Sequence, residues 1–181
     1  IQYGDYVVHY EFDASPDHLA GDIDYAGEKT LCALYVAVEL VNQTESYANY
    51  DKFAEGVDRI TAVIRKARKH VAQRALDFAQ EYKDDKFIYT MASGAGFGAA
   101  YMESICIFQE MQWINSAVIH TGEYFHGPFE VTYADVPFVI QISEGSTREL
   151  DERALRFLNK YAKRIETLDA KELGLSTIDS S

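Results

Sequence analysis

What most constrains the fold is the stretch from Phe87 onward, where short apolar runs alternate with glycine-bearing loops and helical patterns. Phe87 to Met91 reads as a strand, Ser93 to Gly98 (SGAGFG) as a loop, and Ala99 to Trp113 as a helix. Ser116 to His120 and Pro137 to Ile142 read as further strands, Asp151 to Arg164 as a helix, and Ile165 to Leu168 as a fourth strand. Strands that alternate with helices imply a parallel sheet covered on both faces. The expected fold class is therefore α/β, a three-layer αβα sandwich.

Upstream the period changes. Phe53, Val57, Ile60, Ile64, Ala67, Val71, Ala75, Phe78 and Tyr82 recur at three- and four-residue steps, with charges between them. A helix this long between strand patterns reads as a connector between domains, with a boundary expected near Lys83 to Lys86. Thr30 to Val41 (TLCALYVAVELV) is apolar on most faces, which predicts a helix buried on several sides against a domain or subunit. Asp5 to Phe12 (DYVVHYEF) predicts a strand, with Asp13 to His18 as its exit loop.

A chain of 181 residues can hold one domain of ordinary size and part of another. Its formal net charge of −12 argues against a broad interaction with nucleic acid or with an anionic membrane surface. A small anionic ligand would need a local device. Cys32 and Cys106 lie inside apolar helical patterns with no metal-ligand spacing, so both are expected to be buried, reduced thiols. No run approaches a membrane span and the N-terminus does not resemble a signal peptide, which makes the cytoplasm the expected compartment. The chain begins at Ile1 rather than Met and stops at Ser181 shortly after a strand pattern, so both ends are expected to be cut.

In an open parallel sheet, ligands bind at the carboxyl ends of the strands, which points to the loop after Met91. Gly94, Gly96 and Ala99 formally satisfy the dinucleotide fingerprint. A tight strand-to-helix turn, or a simple anion site, is the better reading of so short a signal. Backbone N–H groups of Ser93, Gly94, Ala95 and Gly96 at a helix start would suit a phosphate. Farther on, Glu123 leads into Tyr124, Phe125, His126, Gly127, Pro128, Phe129 and Glu130. A lone histidine is usually structural, but one at a glycine-proline turn between two carboxylates is placed to move protons near neutral pH. Glu110 lies near the end of the first helix, in the mostly apolar run Ile105 to Trp113 (ICIFQEMQW). It is either part of a solvated face or, if buried beside Met111 and Trp113, a general base with a raised pKa.

Gly122-Glu123-x-x-His126-Gly127-Pro128, preceded by Glu110, resembles the second domain of the sugar isomerase (SIS) family. That family includes the isomerase half of glucosamine-6-phosphate synthase and the fructosamine-6-phosphate deglycases. The resemblance implies a first SIS domain whose tail is 1–49, a connector at 50–86, and a second SIS domain at 87–181, incomplete at its C-terminus. It implies that Glu110 moves a proton between sugar C1 and C2. His126 would assist ring opening or proton transfer in the neighbouring subunit's site, which makes the protein at least a homodimer.

In this family the synthase carries a lysine three residues before the glutamate, where this chain has Ile107. Together with Tyr124, Phe125, Phe129 and Glu130, that departure resembles the deglycases more closely. The expected activity is cleavage of a fructosamine 6-phosphate to glucose 6-phosphate and a free amine, without metal or cofactor. Substrate contacts are expected from Ser93, Gly94, Ala95, Gly96 and Glu123. The alternatives are an aldose-ketose phosphosugar isomerase, such as the isomerase domain of the synthase, and a sugar-phosphate-binding regulatory module without turnover.

Overall fold

A computed structural model describes residues 29–178. The strand expected at Asp5 to Phe12 lies outside the described residues. The described residues fall into two compact units, 29–65 and 66–178.

The described part of the first unit is helical. Helix α1 spans Lys29–Glu45, and helix α2, Tyr50–Tyr82, begins here and continues into the second unit. The ring of Tyr35 on α1 lies 5.5 Å from that of Phe53 on α2, and Tyr50 donates its hydroxyl hydrogen bond to the Glu39 carboxylate. That bond holds the Tyr50 phenol protonated to well above its ordinary range. The burial expected for α1 is not met within this unit, because Leu34, Val36, Leu40 and Val41 remain exposed.

The second unit is the α/β sandwich. Strands β1 (Phe87–Ala92), β2 (Asn115–His120), β3 (Pro137–Ile142) and β4 (Arg164–Asp169) form one sheet in the order β2-β1-β3-β4, and every pairing is parallel. The strands match the apolar runs to within two residues at either end. Helix α3 starts at Gly96 and ends at Met102, and a π-helical segment, Glu103–Met111, continues it. Helix α4 spans Arg148–Tyr161 and so begins three residues before the expected start. Its first turn, Arg148-Glu149-Leu150-Asp151, has too few apolar residues to announce itself.

Alternation along the strands divides the core between two faces. On one face Met91, Phe138, Ile140 and Ile142 pack with Ala154 and Leu158 of α4. On the other, Ile88 and Val139 pack with Phe108 of the π-helical segment and with Tyr82 and Phe78 of α2. The last turns of α2 therefore pack within the second unit, which takes in the helix from Lys66 on. Arg164 clamps that end: it forms a two-pronged pair with Asp85 at 2.6 and 2.7 Å and lies 4.6 Å over the Tyr82 ring. Among the described residues no helix is long and apolar enough to cross a membrane.

Candidate functional site

All four strands run in one direction, so their carboxyl ends share one edge of the sheet, where loops can gather around a ligand. A cavity of about 650 Å³ opens at this edge. On one side the turn Gly94-Ala95-Gly96 lines it, and on the other the loop Ser143-Glu144-Gly145-Ser146-Thr147. Leu168, Leu173 and Ile178 contribute apolar wall.

The glycine at position 94 is required by the backbone. Its φ is +52°, a left-handed value, and a Cβ there would lie 2.6 Å from the Thr147 hydroxyl oxygen. The two loops are also bonded together, since the fully buried Ser93 donates its hydroxyl to the Thr147 carbonyl at 3.3 Å. Arg148 braces the second loop from below. Its guanidinium makes a two-pronged pair with Asp169 at 2.8 and 2.7 Å and donates to the Ser143 carbonyl at 3.1 Å. That pairing holds the Asp169 carboxyl below its ordinary range and keeps Arg148 firmly protonated.

The loop from 143 to 147 is a part of the site that sequence reasoning missed. The signal was present: the rule that directs attention to the loop after β1 applies equally to the polar Ser143-Glu144-Gly145-Ser146-Thr147 stretch after β3. Glu103 was also missed. Its carboxylate accepts a hydrogen bond at 3.1 Å from Gln141, which lines the cavity. Burial raises its pKa, and the Gln141 bond offsets this only in part.

Glu110 and His126 are placed differently. Glu110 is exposed near the end of the π-helical segment, so its side chain is solvated in this chain rather than buried beside Met111 and Trp113, which are 64% and 90% exposed. Several apolar neighbours share that surface, among them Tyr101, Met102, Ile105 and Ile107.

His126 closes a short 3₁₀ turn, Tyr124–His126, and its side chain is also exposed. The aromatics around it explain why. Tyr124 is fully buried and bonded to Thr132, while Phe125 and Phe129 pack their rings on Phe157 of α4. Arg153 of α4 lies 4.1 Å over the Phe125 ring. Such ring contacts contribute about 1 kcal/mol each beyond their burial and fix the turn against the helix. Gly127 then turns the chain with φ +145°, a value that a side chain would oppose. Glu123, at the head of the turn, is exposed. The structure thus brings Gly94, Ala95 and Gly96 to one cavity; Ser93 lies buried behind it, and Glu110, Glu123 and His126 do not line it.

A parallel sheet of order β2-β1-β3-β4 carrying the Gly122-to-Pro128 turn after β2 and Glu110 before it invites comparison with known proteins. Over 137 residues the sequence is 48% identical to fructosamine deglycase FrlB of Bacillus subtilis, covering 76% of this chain and 42% of that protein. Over 98% of its length the structure superposes on a candidate phosphosugar isomerase from Salmonella typhimurium, with a TM-score of 0.89 and 44% identity. The chain belongs to the sugar isomerase (SIS) family. It spans about half the length of these relatives, 53% in the case of the Salmonella protein. The fructoselysine 6-phosphate deglycase of Escherichia coli is 33% identical over 86 residues, 48% of this chain and 25% of that enzyme. The C-terminal domain of glucosamine-fructose-6-phosphate aminotransferase from Francisella tularensis shares the fold, with a TM-score of 0.66 at 17% identity over 77% of this chain and 45% of that one. No protein-family model matches the sequence.

Proposed function

We propose that this SIS domain is part of a deglycase that cleaves a fructosamine 6-phosphate to glucose 6-phosphate and a free amine. The single observation that carries the reading is the 48% identity to a fructosamine deglycase. Glu110 takes a proton from C1 of the open-chain ketosamine, and a proton returns at C2. The product is an imine of glucose 6-phosphate, which water hydrolyses to the aldehyde and the amine. His126 moves the proton of the ring oxygen on opening, or of the attacking water. We assign Gly94, Ala95 and Gly96 to substrate binding through the cavity they line, Ser93 through its bond to the Thr147 carbonyl of the facing loop, and Glu123 through its place at the head of the His126 turn.

A glutamate that takes a carbon-bound proton works best when water is excluded. Exposed Met102, Ile105, Met111 and Trp113 near Glu110 support a site that is covered on assembly. We assign the cover to a second copy of the chain in a homodimer, whose His126 completes the site. We place the reaction in the cytoplasm; that Cys32 and Cys106 are not joined in a disulfide is consistent with that compartment.

Incubating the full-length protein with fructoselysine 6-phosphate tests the reading. Release of glucose 6-phosphate and lysine supports it, with Glu110→Gln about 10²-fold slower or worse. Isomerisation of a phosphosugar without amine release, or no turnover of any fructosamine 6-phosphate, would overturn it.

A further inference from the structure

We propose that Asp151 is a positioning residue for catalysis, holding the His126 turn in fixed register with the cavity loop; this role rests on the reading of His126 as a proton carrier. Asp151 is fully buried in the first turn of α4. One carboxylate oxygen accepts the Thr121 hydroxyl at 2.6 Å, and the other accepts the Ser143 backbone N–H at 2.9 Å. Thr121 follows β2 and Ser143 follows β3, so a single side chain joins the ends of two strands that are not neighbours in the sheet.

Burying a carboxylate is costly unless its oxygens are bonded. Here each oxygen has a donor, and the start of the helix favours negative charge. An apolar side chain would fill the same space at lower cost. What it could not do is tie the two loops.

The tie reaches His126 over a short span. The Thr121 N–H also donates to the Ala92 carbonyl at the end of β1, at 3.0 Å. Thr121 is thereby fixed to β1 through its backbone and to α4 through its hydroxyl. Three residues on, Tyr124 is fully buried, and the His126 N–H donates to the Glu123 carbonyl at 2.9 Å. The turn that presents the imidazole thus has two anchors, the Tyr124 ring and the Thr121–Asp151 bond. On the other side, the Ser143 hydroxyl lies 3.2 Å from that of Thr147, whose carbonyl is bonded by Ser93. Asp151 stands where both sets of bonds meet.

Thr121→Val keeps the shape of the side chain and removes only the hydroxyl. In the full-length protein it is expected to lower kcat for fructoselysine 6-phosphate at least ten-fold, to leave KM within two-fold, and to shift and broaden the His126 ring resonances, assigned by their loss in His126→Asn. Thr121→Ser restores the hydroxyl and is expected to return both readings to within two-fold of wild type. Asp151→Asn can still meet both partners and is expected to retain more activity than Asp151→Ala. Unchanged kcat and an unchanged His126 signal in Thr121→Val would overturn the proposal, as would equal losses in Thr121→Ser and Thr121→Val. If His126→Asn turns over at the wild-type rate, the catalytic reading of that residue fails, and with it a positioning role in catalysis. If Thr121→Val does not fold, the ratio of Asp151→Asn to Asp151→Ala decides, equal activities counting against the proposal.

Discussion

Glu103 and Glu110 lie seven residues apart on one continuous helical segment, yet the first carboxylate turns inward to Gln141 while the second stands in solvent. In a regular α-helix a seven-residue step returns to nearly the same face. Between these two residues the segment is π-helical, and the N–H of Gln112 reaches back five residues to the Ile107 carbonyl at 3.0 Å. The wider turn separates the faces. One carboxyl is left to the interior beside the sheet and the other to the surface, where we place proton transfer.

If Glu110 of one subunit works with His126 of its partner, two dead variants should rescue each other. A mixed dimer of Glu110→Gln and His126→Asn has one site that lacks both groups and one that keeps both. Random re-association of equal amounts should therefore restore about a quarter of wild-type activity for a two-fold dimer. The check is to unfold and refold the two variants together and assay amine release. Activity no higher than that of the separate variants would place both residues in one subunit's site.

The sandwich was largely legible in the sequence because apolar strands, glycine turns and helical spacing repeat in order from Phe87 to Leu168. Strand order was not legible: the pairing of β1 with β3 depends on contacts far apart in the chain. The division at Lys66 was hidden because α2 keeps one period throughout, although only its later residues, such as Phe78 and Tyr82, reach the sheet. Glu110 and His126 were singled out by the resemblance to the SIS family, which could not say that both are exposed in this chain. Asp151 read as a helix start, since an aspartate bonded to Thr121 and Ser143 looks in sequence like one facing water. Burial and distant partners are tertiary properties, and a local pattern does not carry them.

Gly94→Ala tests whether the cavity holds substrate. The left-handed backbone should cost about 1–2 kcal/mol with any side chain. The new methyl would also push against the Thr147 hydroxyl, because a Cβ there lies 2.6 Å from it. The expected outcome is a KM for the fructosamine 6-phosphate raised at least five-fold, with kcat changed less, because Glu110 and His126 do not line this cavity. Steady-state kinetics at a temperature where the variant stays folded would check it. A lowered melting temperature with KM within two-fold would make the loop structural and remove Gly94 from the binding residues.

The pair of Asp169 and Arg148 should give the second unit a stability that acid removes. Their side chains are 25% and 18% exposed, little enough for the pairing to escape full screening. Replacing Asp169 with Asn leaves the Arg148 charge with a weaker acceptor, at a cost of about 1–3 kcal/mol near neutral pH. The sign of the pH dependence follows from the direction of the shift. The Arg148 bonds lower the pKa of Asp169 below its ordinary value of 3.8, so the folded state holds the carboxylate more strongly than the unfolded chain does. The contribution is fully present above that ordinary value and is lost as pH falls through the lower, folded one. Urea unfolding of wild type and Asp169→Asn at pH 7 and at steps down to pH 2 should show two curves that converge only below about pH 4. A gap that stays constant down to pH 2 would mean that the carboxylate acts through shape rather than charge. Arg148 would then brace the cavity loop through the Ser143 carbonyl alone.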